Sequence, residues 1–269
     1  QAGVSICRLT SQGASELLFS SKLAPAPLNL PKIVADGGPW WFIAETSTNG
    51  RELYRSDGTA SGTVMVKDIA PGTGDGAAAG GIALLGPVAF FPGNDGVSGA
   101  ELWRSDGTDA GTFRVVDLFP GAASSSPRQL MTLDPTHVAF LGDLPSSTTA
   151  VFVSDGTTSG TVDLTSSLAG SSKSLLGVAG GRLVFAFDST ADGIEPFALE
   201  PDGGVQRLGD LRAGPGDSTP QALATVGGRL LFVASDAPGQ TALWSTDGTP
   251  TGTLKLPVAT PSTSAGGWA

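Results

Sequence analysis

Short apolar runs of four to six residues recur along the chain, each closed by Gly, Pro, Asp or Ser. Runs this short, rich in Val, Ile, Phe and Trp, predict β-strands rather than helices. In the clearest stretch they are IALL from Ile82, VAFF from Val88, ELWRS from Glu101 and FRVVDL from Phe113. The VAFF-type runs (also HVAFL, RLVFAF and RLLFVA) are apolar on both faces, as an inner strand packed between neighbouring sheets must be. Between the third and fourth runs stands Asp-Gly-Thr-x-x-Gly-Thr. Its first Gly suits a turn that needs positive φ, and its Asp and Thr side chains can bond the turn amides.

The four-run pattern is itself repeated. ELYRSDGTASGTVMVKDIAPG begins at Glu52 and ELWRSDGTDAGTFRVVDLFPG at Glu101. VFVSDGTTSGT follows from Val151, ALWSTDGTPTGT from Ala242, and a degenerate FALEPDGG from Phe197. The Asp-Gly anchors Asp57, Asp106, Asp155, Asp202 and Asp247 lie 49, 49, 47 and 45 residues apart. An upstream anchor, read as Phe42, Phe90, Phe140, Phe185 and Phe232, is spaced by 48, 50, 45 and 47. Two unrelated landmarks sharing one period define a tandem repeat, and four strands per unit predict the blade of a β-propeller.

The expected fold is all-β: a single propeller domain over residues 1–269 with four-stranded antiparallel blades and no helix beyond two turns. Five blades are expected, at about 30–71, 79–121, 128–170, 173–214 and 219–258; six is the alternative. Residues 1–22 read as a surplus N-terminal hairpin, since Gln12-Gly13 falls one period before Asp57. Either five blades close with this hairpin outside the ring, or it contributes to a sixth; residues 259–269 form a C-terminal tail. Oligomerisation is a further way to complete the unpaired half.

Composition narrows the function. Of 269 residues 39 are Gly and 19 Pro, which disfavours long helices. Fifteen basic against 25 acidic residues give a net charge of −10, which argues against nucleic acid or an anionic membrane surface as partner. One cysteine, Cys7, excludes an internal disulfide, and one histidine, His137, excludes a multi-histidine metal centre. No apolar run approaches the length of a membrane-spanning helix, so no membrane insertion is expected. No signal peptide is visible, but one could already have been removed, since the sequence starts at Gln1 without Met. Arg outnumbers Lys on a surface rich in Ser and Thr, and the expected setting is a bacterial secreted or cell-surface protein.

The Glu-Leu-Tyr/Trp and Asp-Gly-Thr copies at 52–72 and 101–121 resemble the bacterial ELWxxDGT-type repeat family of secreted and surface proteins. That resemblance implies the propeller and an extracellular habit, and no established chemistry. The fourth unit departs from the pattern: Glu200 and Pro201 intervene before Asp202, and Gly204 replaces the Thr. The repeat organisation is also similar to that of small five-bladed propeller lectins, which implies glycan binding.

Three sets of residues carry candidate chemistry. Tyr54, Trp103, Phe152 and Trp244 recur once per unit, and Cys7 falls at the corresponding place in the first hairpin. Trp40 and Trp41 stand where other units carry Val88-Ala89, Val138-Ala139, Leu183-Val184 and Leu230-Leu231. A flat indole with an N–H donor suits a sugar face, so Trp40, Trp41, Trp103 and Trp244 are the candidate ligand-binding residues, with inter-blade packing as the alternative. Glu52, Glu101 and Glu195 each follow a Gly-containing turn with Asn49, Asp95 or Asp192 nearby, an oxygen-rich arrangement that could hold Ca²⁺. Equally, these glutamates could bond turn amides, and Ala150 and Ala242 replace them in the third and fifth units. Catalysis is not expected: GxSxG is absent, and the inner strands open with Lys32, Gly81, Arg128, Ser174 and Gln221, offering no acid for glycosidase-type chemistry. The expectation is a non-catalytic module, lectin-like toward neutral glycans, or else a structural or protein-binding part of a cell-surface assembly.

Overall fold

The computed structural model describes residues 4–9, 15–21, 38–200 and 203–257. All regular structure in them is strand, with no α-helix. A hairpin of β1 (Val4–Leu9) and β2 (Ser15–Ser21) comes first, and its side chains, Cys7 included, lie outside the described residues. The first sheet is β3 (Trp40–Thr46), β4 (Gly50–Ser56) and β5 (Val64–Met65). The second is β6 (Ala83–Leu85), β7 (Val88–Asn94), β8 (Ala100–Ser105) and β9 (Phe113–Val116). The third is β10 (Arg128–Asp134), β11 (His137–Asp143), β12 (Thr149–Ser154) and β13 (Thr161–Asp163). The fourth is β14 (Gly170–Ala179), β15 (Arg182–Ser189), β16 (Gly193–Leu199) and β17 (Val205–Arg207). The fifth is β18 (Gln221–Val226), β19 (Arg229–Ala237), β20 (Gln240–Thr246) and β21 (Leu254–Lys255). Within each sheet the strands follow chain order, neighbour against neighbour, as a meander of hairpins.

The chain divides into two compact units, Gln1–Leu175 and Leu176–Ala269. In the first, Trp41, Leu53, Ala89, Phe91 and Trp103 form a core between the first and second sheets. A second core joins Phe90, Leu102 and Val115 to Val138, Phe140 and Phe152 of the third sheet. In the second unit, Val184 and Ala198 meet Leu230, Phe232 and Ala234. Each inner sheet is thus apolar on both faces, which is why the VAFF-type runs show no alternation.

Strand register corrects one alignment. Phe42 pairs with Tyr54, Phe140 with Phe152, Phe185 with Phe197 and Phe232 with Trp244, but Trp103 pairs with Phe91, not Phe90. With Phe91 as anchor the spacings become 49, 49, 45 and 47, and the first two equal those of the Asp-Gly anchors. Two adjacent phenylalanines pointing to opposite faces made the sequence ambiguous by one residue. Consequently Trp40 and Trp41 correspond to Ala89 and Phe90 of the second sheet. Trp41 replaces an aromatic there, not a small aliphatic.

The Ser/Thr-Asp-Gly-Thr turn repeats atom for atom. In the second sheet Asp106 Oδ1 accepts the Thr108 N–H at 2.9 Å and its hydroxyl at 2.7 Å. Thr108 Oγ1 accepts the Gly111 N–H at 2.9 Å, and the Ser105 and Thr112 hydroxyls bond at 2.7 Å. Gly107 has φ 91° and donates its N–H to Ser105 Oγ at 3.0 Å. The same network stands at Asp57, Asp155 and Asp247. A Cβ on Gly111 would collide with the Asp106 carboxylate. Gly111→Ala is therefore expected to cost about 1–3 kcal/mol, the range for forced overpacking, measured as a lower urea midpoint with unchanged slope.

Candidate functional site

Three glutamates sit at the same depth in three sheets, each wholly buried. Placed early in β4, β8 and β16, they point into the loop that leaves the outermost strand. Glu101 Oε2 accepts the Leu118 N–H at 3.0 Å and the Ser125 hydroxyl at 2.6 Å, while Oε1 accepts the Ser125 N–H at 2.9 Å. Glu195 accepts the Leu211 N–H at 3.0 Å and the Arg212 N–H at 3.4 Å, with a further bond from the Ser218 side chain. Glu52 Oε1 accepts the Ile69 and Ala70 amides, both at 3.1 Å. One carboxylate thus clamps the connector as it leaves one sheet and, in two repeats, again as it enters the next.

Burial pushes all three carboxyls above the ordinary glutamate range, and the amide donors offset only part of that. The effect is largest at Glu52, raised to about 7. Gly76 stands there in place of Ser125 and Ser218, so Glu52 has no hydroxyl donor, and Asp68 adds a like charge.

The arrangement does not fit the calcium expectation. A cation and N–H donors compete for the same carboxylate lone pairs; donors occupy both oxygens of Glu101 and Glu195, and at Glu52 they occupy Oε1. Asp95 does not turn toward Glu101: its Oδ1 accepts the Val97 and Ser98 amides at 2.9 and 2.8 Å. Desolvation acts against that carboxyl, but the Ser98 and Val97 bonds outweigh it and hold the group below the usual aspartate range. Asp192 pairs with Arg207 at 2.8 Å. Among the described residues no three His, Cys, Asp or Glu side chains converge as metal ligands. Where the third unit has Ala150, the Thr165 hydroxyl accepts the Val151 N–H at 3.3 Å, a different route to a fixed connector.

The tryptophans separate. Trp41 and Trp103 are 2% and 7% exposed and belong to the core between the first two sheets, so neither offers an indole face to a sugar. Their burial follows from register, which aims both at the neighbouring sheet. Trp244 is half-buried against the core between the fourth and fifth sheets. Trp40 is half-buried, its ring 3.6 Å from where a Cβ on Gly58 would stand. His137 lies at the start of β11 with Nδ1 3.1 Å from Asp134.

Other recurring apolar residues face solvent. Val64, Phe113, Val162 and Leu254 are 39–53% exposed, and each follows the final Thr of the Asp-Gly-Thr-x-x-Gly-Thr motif. They lie on β5, β9, β13 and β21, the last strands of their sheets, each with one edge unpaired among the described residues. Arg104 covers the ring of Phe113 at 5.4 Å. Sequence reasoning missed these residues because it counted every recurring apolar residue as core. The available signal was their place immediately after a polar turn, on a strand only two to four residues long.

No family model matches the chain, and no curated protein matches it significantly. Solved structures do. A structure from an analysis of two prolyl endopeptidases aligns with 84% of this chain and 34% of its own length, at TM-score 0.56 and 14% identity. The likeness is one of fold alone. A puromycin-hydrolysing peptidase of Mycobacterium tuberculosis aligns with 95% of the chain and 43% of its own length, at TM-score 0.53 and 14% identity. An oligogalacturonate lyase in complex with manganese aligns over 87% and 65%, at 0.52 and 14%. The chain spans about a third to two thirds of these structures. With antiparallel four-stranded sheets and propeller-like neighbours, the architecture is all-β and propeller-like.

Proposed function

We propose that this chain is a non-catalytic, five-bladed propeller scaffold that binds a polypeptide partner along its outer strands, within a bacterial cell-surface or secreted assembly. Val64, Phe113 and Val162 of the first unit carry the reading, with Leu254 at the same motif position in the second. One apolar side chain at the same place in four repeats, each on an open sheet edge, is a repeated contact for extended segments. Linked weak contacts of this kind gain avidity without any deep pocket. The buried glutamates hold connectors, which leaves them to architecture rather than to acid–base chemistry.

The test is a pair of proteins, native and carrying Val64→Ser, Phe113→Ser, Val162→Ser and Leu254→Ser together. The native chain is expected to capture a defined polypeptide from the cell envelope, and the variant to lose at least about tenfold in affinity at equal melting temperature. Equal capture by both sinks the rim reading. Particle averages by electron microscopy test the blade count.

Glycan recognition is the second reading, and Trp40 favours it: an indole still half-accessible beside the Gly58 turn. Its test is a glycan array with the native chain and Trp40→Ala. Binding lost only in the variant supports it, and an array blank for both removes it.

A further inference from the structure

The first sheet departs from its repeats at one buried atom. Glu101 and Glu195 have donors on both carboxylate oxygens, and each also bonds a serine, Ser125 or Ser218. Glu52 lacks that hydroxyl, because Gly76 stands at the serine position. Its Oε1 takes the Ile69 and Ala70 amides, while Oε2 is buried with no hydrogen-bond donor. The Gly76 amide approaches the carboxylate without completing a bond to that oxygen. An ionised carboxylate oxygen out of water and without a donor is costly, and the ordinary relief is to take up a proton.

The surroundings push the same way. Asp68, directly before the Ile69 amide that Glu52 holds, brings a second negative charge, and its own Oδ1 is buried without a partner. Asp68 Oδ2 takes the neutral Asn49 amide at 3.1 Å. The nearby cations are engaged elsewhere: Arg51 with Asp75, and Lys67 with the Asp109 carboxylate and the Asp109 and Thr112 carbonyls. Burial raises the Tyr54 hydroxyl above its ordinary range, so it brings no charge either. The core under the connector, from Ile69 and Ala77 to Phe91 and Trp103, is apolar. The connector is able to respond. Residues 71–75 are exposed and lie outside any strand, with Gly72, Gly74 and Gly76 among or beside them. Glu52 fixes this segment at one end, and Arg51 fixes the other through Asp75 and Ala77.

We propose that Glu52 is a proton-operated latch on the connector between the first two sheets. Protonated at Oε2, it sits neutral beside Asp68 and keeps the Ile69 and Ala70 amides. Ionised, it sets two like charges in one buried place, and the connector opens to let water reach them. Burial supports this by raising the Glu52 carboxyl from 4.5 to about 7 while the connector is closed. Opening returns the group to water and its ordinary value, so closure is strongest below about pH 4.5 and weakens as pH rises to 7.

Amide hydrogen exchange on the native chain tests it, with each rate divided by that of an unstructured amide at the same pH. Protection of Ile69 and Ala70 is expected to fall about tenfold for each pH unit between about 5 and 7, then level off. Leu118 and Leu211, held by glutamates with both oxygens filled, are expected to fall less. The carbon resonance of the Glu52 carboxyl is expected to titrate near pH 7. Gly76→Ser restores the missing hydroxyl, its Cβ meeting the carboxylate end of Glu52, which can turn. It is expected to bring Ile69 and Ala70 to the behaviour of Leu118. If that variant fails to fold, exchange and carboxyl titration of the native chain decide. A Glu52 carboxyl already ionised at pH 5 overturns the proposal. So does protection at Ile69 and Ala70 that stays constant, or that falls in parallel with Leu118 and Leu211. Calcium that restores the lost protection at pH 8 overturns it too, because a cation and not a proton would then fill Oε2.

Discussion

Glu101→Ala lowers the stability of the protein by about 3–5 kcal/mol, and by the same amount in calcium and in EDTA. The side chain is wholly buried and holds the Leu118 amide, the Ser125 amide and the Ser125 hydroxyl. Removing it strands the buried Ser125 amide and the part-buried Leu118 amide, and an orphaned buried group costs about 1–3 kcal/mol. The cavity left by the lost methylene and carboxylate adds to that. Glu101→Gln, which keeps one acceptor oxygen, is expected to recover part of the loss. Chemical denaturation in both ionic conditions measures all of this. A loss confined to calcium-containing buffer would return the glutamate to the role of metal ligand.

Stability falls as pH rises through neutrality, and Glu52 is the main reason. Its carboxyl is raised from 4.5 to about 7 in the folded chain, so the folded state holds a proton that the unfolded state gives up earlier. The stability this contributes is fully present below about pH 4.5 and is lost as pH climbs through 7. At about 1.4 kcal/mol for each pH unit, the gap amounts to about 3 kcal/mol. Glu101 and Glu195 are raised too and add in the same direction. The acid limb has the opposite sign. The Thr108 hydroxyl and amide hold Asp106 below its ordinary value, and Thr157 and Thr249 do the same for Asp155 and Asp247. These groups contribute above pH 4 and fail as pH drops below it, which places the optimum on the acid side of neutral. Glu52→Gln is expected to flatten the alkaline limb between pH 5 and 8. Denaturation midpoints for variant and native chain that fall in parallel over that range would refute the assignment.

The fold was legible because its signal is redundant. A turn motif with fixed side-chain roles in four repeats, and a two-faced apolar strand in all five, specify sheet after sheet independently. Register was less legible. Phe90 and Phe91 both fit the anchor, and only the pairing of Trp103 with Phe91 separates them. The site was legible as residues and not as roles. Glu52, Glu101 and Glu195 stood out by position, but carboxylates that bind cations and carboxylates that bind amides look alike until the loops 17 and 24 residues onward are folded over Glu101. Trp41 and Trp103 failed as sugar platforms for a related reason. An indole in a strand serves ligand or core according to which face it takes, and one residue of register decides that. Val64, Phe113, Val162 and Leu254 were hidden by the opposite habit, since periodic apolar residues are ordinarily core.

The Asp-Gly turns also bear on how long the molecule lasts. An Asp-Gly bond ages when the glycine nitrogen attacks the aspartate carboxyl carbon, expelling water and closing a succinimide that reopens mostly as isoaspartate. Four such bonds lie in these turns, at Asp57, Asp106, Asp155 and Asp247. In each, the aspartate oxygen is held by the hydroxyl and amide of a Thr two residues on. The glycine N–H is meanwhile turned away to a buried Ser or Thr hydroxyl. Electrophile and nucleophile are tethered to different partners, so the ring cannot close without breaking the turn. The network that shapes the hairpin thereby doubles as a chemical preservative, and isoaspartate should accumulate at these four bonds only as fast as the turns themselves open.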